Sequence, residues 1–260
     1  WEWGAFAQFE GVVPRLFYTL SVFIVLVGAA ALSGFWSGAE SFTLLSEGLL
    51  ADPEASTAFL KLSKRAAKAG VDMRIASAFR SYDRQARILN EKWLGHRGVV
   101  NDQGDSLDRS MLSDAQWLEA ILRFSALPGT SRHHWGTDLD IWDAAAVDSH
   151  YKLSLTGAEY GPGGVFEEMT HWLDARIVAD DAEGFFKPYD QDRGGVAPEP
   201  WHISYRPVAS RYPAQVSLRS LMPLWTGLPD TVGDAHEPLA MLSVLSPLAE
   251  GVMRRYVVID

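Results

Sequence analysis

The spacing of apolar and polar positions changes several times along the chain, and each change marks an element. Between Pro53 and Gly70, the apolar residues Leu60, Leu62, Ala66 and Ala67 recur at a roughly helical interval, with proline near the start and glycine at the end. Val71–Phe79, "VDMRIASAF", alternates apolar and polar side chains as a strand does. "RSYDRQARILNEKWLG" returns to a helical pattern ending at Gly95, and the polar stretch His96–Asp114 reads as a loop. "AQWLEAILRFSAL" predicts a helix stopped by Pro128 and Gly129, and "TDLDIWD" a short strand. A long insertion follows, Ala144–Asp192, with a helix around "FEEMTHWLDARIV" and a loop at "YGPGG". "PEPWHISYRP" is extended, because Pro198 and Pro200 disfavour helix in the residues before them. Two apolar segments near the end, "QVSLRSLMPLW" and "LAMLSVLSPLAEGVM", read as helices. Helices and strands mixed without regular alternation predict an α+β fold.

The N-terminal pattern is of another kind. Leu16–Trp36 contains no charged residue, and the run is flanked by Arg15 and Glu40. Roughly 20 apolar residues suffice to span a bilayer, and the arginine weakly favours the N-terminus inside. Residues 1–40 are therefore expected to be a membrane anchor, with a buried helix or a signal-like segment as the alternatives. Residues 41–260 form the expected folded domain, closed by the C-terminal helices.

Composition adds two constraints. With 47% hydrophobic and 22% charged residues, the 260-residue chain is an ordinary globular one. Its net charge of −10 disfavours a nucleic-acid partner, which would need a basic patch to replace phosphate counterions. There is no cysteine, so disulfides and thiolate chemistry are excluded, and any metal must be held by histidine and carboxylate.

That constraint directs attention to "SRHHWGTDLDIWD", Ser131–Asp143. A zinc site of this kind needs three protein ligands and a fourth position open to water. Gly136 lies between His133 and Asp140, as suits a turn running into a strand that brings both side chains to one ion. On that strand Asp138 and Asp140 share a face, while Asp143 takes the other. A second cluster, "EPWH", sets Glu199 three residues before His202 and supplies a further ligand with a nearby carboxylate base.

The two clusters, with "FRSYDRQ" at Phe79–Gln85, carry a resemblance to a known group. "SRHHWGTDLD" resembles the Ser-x-His-x-x-Gly-x-Ala-x-Asp motif of the LAS metallopeptidases, named after lysostaphin, D-Ala-D-Ala metallopeptidases and sonic hedgehog. "EPWH" is similar to their Glu-x-x-His element. "FRSYDRQ" is similar to the Tyr-Arg-Ser-Tyr-x-x-Gln stretch of VanY-type D-alanyl-D-alanine and L,D-carboxypeptidases. The three occur in the family's order and span Phe79–Tyr205.

The resemblance implies a small antiparallel sheet carrying the zinc site, flanked by helices, as in LAS and hedgehog-like domains. It implies His133, Asp140 and His202 as ligands of Zn2+, Glu199 as general base and Arg80 as the group that stabilises the oxyanion. Ser131 and Gln85 match residues that hold the substrate's C-terminal end. The implied reaction is removal of a terminal D-alanine from peptidoglycan stem peptides, D,D in preference to L,D, in the cell envelope or periplasm. An endolysin-type endopeptidase and a non-catalytic binding module are the rival expectations. One position departs from the motif: the usual alanine is Asp138 here. It could orient a histidine ligand, hydrogen-bond the turn, or face solvent. His134 and Asp143 are left outside the site, and Trp135 and Trp201 are read as walls and packing for it rather than as substrate binders.

Overall fold

Two short strand sequences, "DLDIWD" and "HISY", each carry an apolar side and a polar side, and that alternation sets the architecture. In the computed structural model they form β4, Asp138–Asp143, and β6, His202–Tyr205. The structure describes residues 43–44, 49–212, 216–227 and 236–257. The apolar run Leu16–Trp36, and the anchor expected there, lie outside them. Among the described residues no helix is long and apolar enough to cross a membrane.

The sheet has the order β3-β4-β6-β5, with β3 at Met73–Ser77 and β5 at Phe185–Phe186. Every neighbouring pair is antiparallel. Side chains alternate across a strand, so Leu139, Ile141 and Ile203 enter the core on one face and are fully buried. Asp138, Asp140, His202 and Ser204 are thrown onto the other. The α+β expectation with a small antiparallel sheet holds.

Two apolar clusters flank this arrangement. One joins the sheet's inner face to helix α1, Pro53–Lys68, and to helix α5, Glu167–Val178. Helix α4, Gly157–Tyr160, precedes α5. The other gathers α2, Tyr82–Trp93, with α3, Asp114–Leu122. It also takes in α7, Leu218–Trp225, and α8, Leu242–Tyr256, the two C-terminal helices expected from sequence. A one-turn helix, α6 at Arg206–Ala209, follows β6.

Caps explain where the helices begin. Asp52 accepts from the backbone of Glu54 and Ala55 at the start of α1, and Ser113 closes a capping box with Gln116 on α3. Some details differ from the sequence pattern. In α1 the buried stripe is Ala55, Phe59, Leu62 and Ala66, and Leu60 is 52% exposed. Helix α3 ends at Leu122 rather than running to Pro128. Residues Leu50–Ala51, β2, pair with Thr43–Leu44, β1, in a segment read as a plain connection. The "YGPGG" segment is a tight packed turn: a Cβ on Gly164 would sit 2.3 Å from the Ala158 carbonyl oxygen.

Candidate active site

Strand register puts the first two polar groups together. Asp140 on β4 is the direct partner of His202 on β6. His133 reaches them from a single 3-10 turn, Arg132–Trp135, which ends at Gly136 in the left-handed region (φ +71°). Glycine has no Cβ to oppose that conformation, so the chain can reverse there and enter β4. One ligand atom from each of His133, Asp140 and His202 lies within 4.8 Å of the others.

The hydrogen bonds behind these residues fix what they present in front. His133 Nδ1 is 2.9 Å from the Ala78 carbonyl oxygen, which can only accept, so Nδ1 carries the proton. Its Nε2 therefore faces Asp140 Oδ2, at 3.3 Å, as a lone pair. His202 Nε2 donates to Asp138 Oδ1 at 2.9 Å, so in the neutral ring it is Nδ1 that is bare towards Asp140 and Glu199, each at 3.3 Å. In that state two imidazole lone pairs and a carboxylate converge with no donor among them. That donor set fits a divalent cation in the middle.

The charges agree with the geometry. Burial works to raise Asp140, but the neighbouring His133 and His202 hold its carboxyl well below the usual range. Burial would lower His202, yet the carboxylates of Asp138, Asp140 and Glu199 raise it well above the ordinary histidine value, so with no cation among them Nδ1 holds a proton that a metal would displace. The surplus of negative charge around the ring is what a cation would neutralise.

Asp138 resolves into the first of its sequence alternatives. It is fully buried and accepts four hydrogen bonds: Oδ1 from Arg132 Nε and His202 Nε2, both at 2.9 Å. Oδ2 accepts from Thr137 at 2.6 Å and Ser204 at 2.9 Å. Those bonds use the carboxylate's lone pairs, so it orients His202 and has nothing left for the metal. Asp140 keeps its oxygens for the cluster. Asp143 lies outside, accepting from the Asp72 and Ala145 backbones.

Across a cavity of about 840 Å³ stands Arg80, just before α2. Two of its N–H groups are held, by Gln85 Oε1 at 2.9 Å and Ser77 Oγ at 3.1 Å. Burial lowers its pKa, with Asp140 opposing, and a guanidinium stays charged regardless. Gln85 is fully buried, and its Nε2 donates to the Ala126 carbonyl at 2.6 Å. Both ends of that amide are engaged within the protein. The structure therefore sets Gln85 behind Arg80 as its support, whereas the motif resemblance put it against substrate. Ser131 and Glu199 do line the cavity, as do Tyr189 and Trp201.

His134 has a part that sequence reasoning left out. Its Nδ1 meets the Arg80 carbonyl oxygen and its Nε2 accepts from the Gly129 N–H. Burial pushes its pKa down to about 3, so the ring is neutral and pins the backbone carrying Arg80. The doubled histidine was the available signal. Trp135 is packing, as read: it stacks on Tyr212 at 5.4 Å.

Known proteins match the same stretch of chain. Residues 49–208 match the family model described as VanY, D-alanyl-D-alanine carboxypeptidase. An uncharacterized protein of Haemophilus influenzae is 37% identical over 103 residues, 39% of this chain and 76% of that protein. A second protein of the same organism is 46% identical over 74 residues, 28% of this chain and about half, 51%, of the relative. Among solved structures, a mutant of the vancomycin-resistance D,D-pentapeptidase VanY in complex with Zn(II) is 27% identical. That alignment covers 63% of this chain and 77% of the other, with a TM-score of 0.45. VanYB in complex with D-alanine-D-alanine is 24% identical, covering 70% and 81%, again with a TM-score of 0.45. The family match spans more than half of the chain and takes in His133, Asp140, His202, Glu199 and Arg80, so this chain belongs to the VanY family of D-alanyl-D-alanine carboxypeptidases.

Proposed function

We propose that this protein is a zinc-dependent carboxypeptidase that removes the terminal D-alanine of peptidoglycan stem peptides, D,D-linked ends in preference to L,D. The observation carrying this reading is the cluster of His133, Asp140 and His202 with Glu199 beside it and Arg80 across the same cavity. Membership of the family supports the substrate class. A His/His/carboxylate set suits zinc, the ion of the vancomycin-resistance VanY complex. When bound there, zinc supplies Lewis acidity, lowering the pKa of a water from ~16 towards ~7.

The chain's own groups account for the remaining chemistry. Glu199 borders the cluster and, among the described residues, is the one carboxylate there not committed as ligand or support. It takes a proton from the attacking water and passes it to the leaving amine. Arg80 offers its unused N–H groups to the oxygen that gains charge on the scissile carbonyl. Gln85, Ser77 and His134 hold Arg80 from moving, so that stabilisation needs no rearrangement at the moment of reaction. Ser131 lines the cavity with a hydroxyl that caps no helix turn, and it is free to contact the peptide end. The same reading assigns the protein to the cell envelope, where this substrate lies, with Leu16–Trp36 as the tether to the membrane.

Mass spectrometry of defined stem penta- and tetrapeptides, incubated with and without chelator, tests the proposal. Loss of one alanine from the pentapeptide, faster than from the tetrapeptide and abolished by chelator, is expected. Cleavage at an internal bond with the terminal D-alanine intact would make the protein an endopeptidase instead.

A further inference from the structure

Five cations line the cavity: Arg80, Lys92, Arg97, Arg123 and Arg132. Three of them face carboxylates already. Arg97 pairs with Glu91, Arg123 with Asp102 and Asp192, and Arg132 with Asp138. Among the described residues, Arg80 and Lys92 make no ion pair. Arg80 is accounted for by the oxygen that becomes charged during reaction. Lys92 is not.

Its surroundings are those of a prepared anion site. Lys92 lies on α2 two turns beyond Gln85, on the same face of the helix. Gln85 meets the Ala126 carbonyl and Lys92 donates to Ser125 Oγ at 2.7 Å, so both rest on one segment of chain. An ammonium has three donors, and two remain. The group is partly buried and near enough to Arg80, Arg97 and Glu199 to feel their charges. Burial and the two arginines push its pKa down to about 8, against the pull of Glu199. A cation held in this way, within reach of Glu199's charge but in no ion pair among the described residues, is stabilised by an anion that enters the cavity.

A peptide cut at its last bond brings two negative groups: the developing oxyanion and the terminal carboxylate. They lie one residue apart, about 3.5 Å along an extended chain. We infer that Lys92, with Ser125 beside it, binds the terminal carboxylate of the peptide while Arg80 serves the scissile carbonyl, so that this pair makes the enzyme an exopeptidase. The inference rests on the carboxypeptidase reading and gives it a specificity-determining residue.

The test is equilibrium binding, which does not require turnover. A stem pentapeptide ending in a free carboxylate and the same peptide ending in a carboxamide are titrated calorimetrically into zinc-loaded Glu199→Gln protein. The acid form should bind about 10–100-fold more tightly, the range for a hydrogen bond to a charged group. Adding Lys92→Met should remove most of that preference, lowering affinity for the acid far more than for the carboxamide, and Lys92→Arg should restore part of it. Lys92→Gln, which keeps a polar chain of similar length, replaces Lys92→Met if the latter fails to fold. A preference that survives both substitutions overturns the inference, and so does equal loss for the two peptides. Parallel hydrolysis by unaltered protein reads the function separately: preference without turnover would leave the Lys92 site standing and remove the hydrolase.

Discussion

The two walls of the cavity are held by different means. The metal wall is a piece of sheet: Asp140 and His202 are direct partners on paired strands, so backbone hydrogen bonds set their separation. The opposite wall is a helix whose functional heads lie at the ends of long side chains. Arg80 is kept in place by Gln85, Ser77 and the backbone pin of His134, and Lys92 by Ser125. A metal tolerates little error in ligand position: strand pairing sets where Asp140 and His202 stand, and hydrogen bonds to Asp138 and the Ala78 carbonyl fix the two rings. The cations facing the peptide stand at the ends of long side chains, and hydrogen bonds from their supports hold them where charge develops. The first wall takes its spacing from the main chain and its orientation from Asp138, while the second depends on supporting contacts along long side chains.

Substitutions on each wall should therefore fail differently. The largest effect is expected at the metal wall: His202→Ala should lose the ion by elemental analysis, and all hydrolysis with it. Glu199→Ala should lower kcat by roughly 10²–10⁴-fold with metal content unchanged. An active Glu199→Ala enzyme would remove the proposed base. Next comes the facing wall. Arg80→Met should lower kcat by about 10²–10³-fold while metal content stays full. A smaller change is expected behind the metal. Asp138→Ala should weaken zinc binding by about 10–100-fold, measured by competition with a chelator, because His202 loses the acceptor that sets its tautomer. Asp138→Asn keeps an acceptor and should fall less.

The mildest test is pH. Lys92 titrates near 8 in the free protein, so it is charged below that value and neutral above it. The groups facing it are Arg97, Arg80 and Glu199, of which the arginines stay charged throughout. Contact with a carboxylate favours the charged form, so carboxylate binding is fully present below about 8 and fades above it. The ratio of kcat/KM for acid and carboxamide peptides should decline above pH 8, and the Lys92→Arg variant should not show this decline.

Much of the metal wall was legible in the residues themselves. Gly136 between His133 and Asp140, and Glu199 three residues before His202, are local spacings, and local geometry carries them into the fold. The alternation of "DLDIWD" already put Asp138 and Asp140 on one face of a strand. It could not say which of the two would bind a metal. That answer depended on Arg132, Thr137, Ser204 and His202, two of which arrive from a strand over 60 residues further along.

The facing wall was less readable, because its logic is contact rather than spacing. Gln85 resembled a substrate contact until Arg80 and Ala126 were found to engage both ends of its amide. Lys92 carries no motif, and its lack of a carboxylate partner exists only once the neighbouring cations have found theirs. Periodicity and short motifs are properties of nearby residues and survive in a one-dimensional string. Which polar groups satisfy one another inside the fold, and which are left over for a ligand, is decided by segments far apart in sequence that packing brings within 3 Å, about the length of a hydrogen bond.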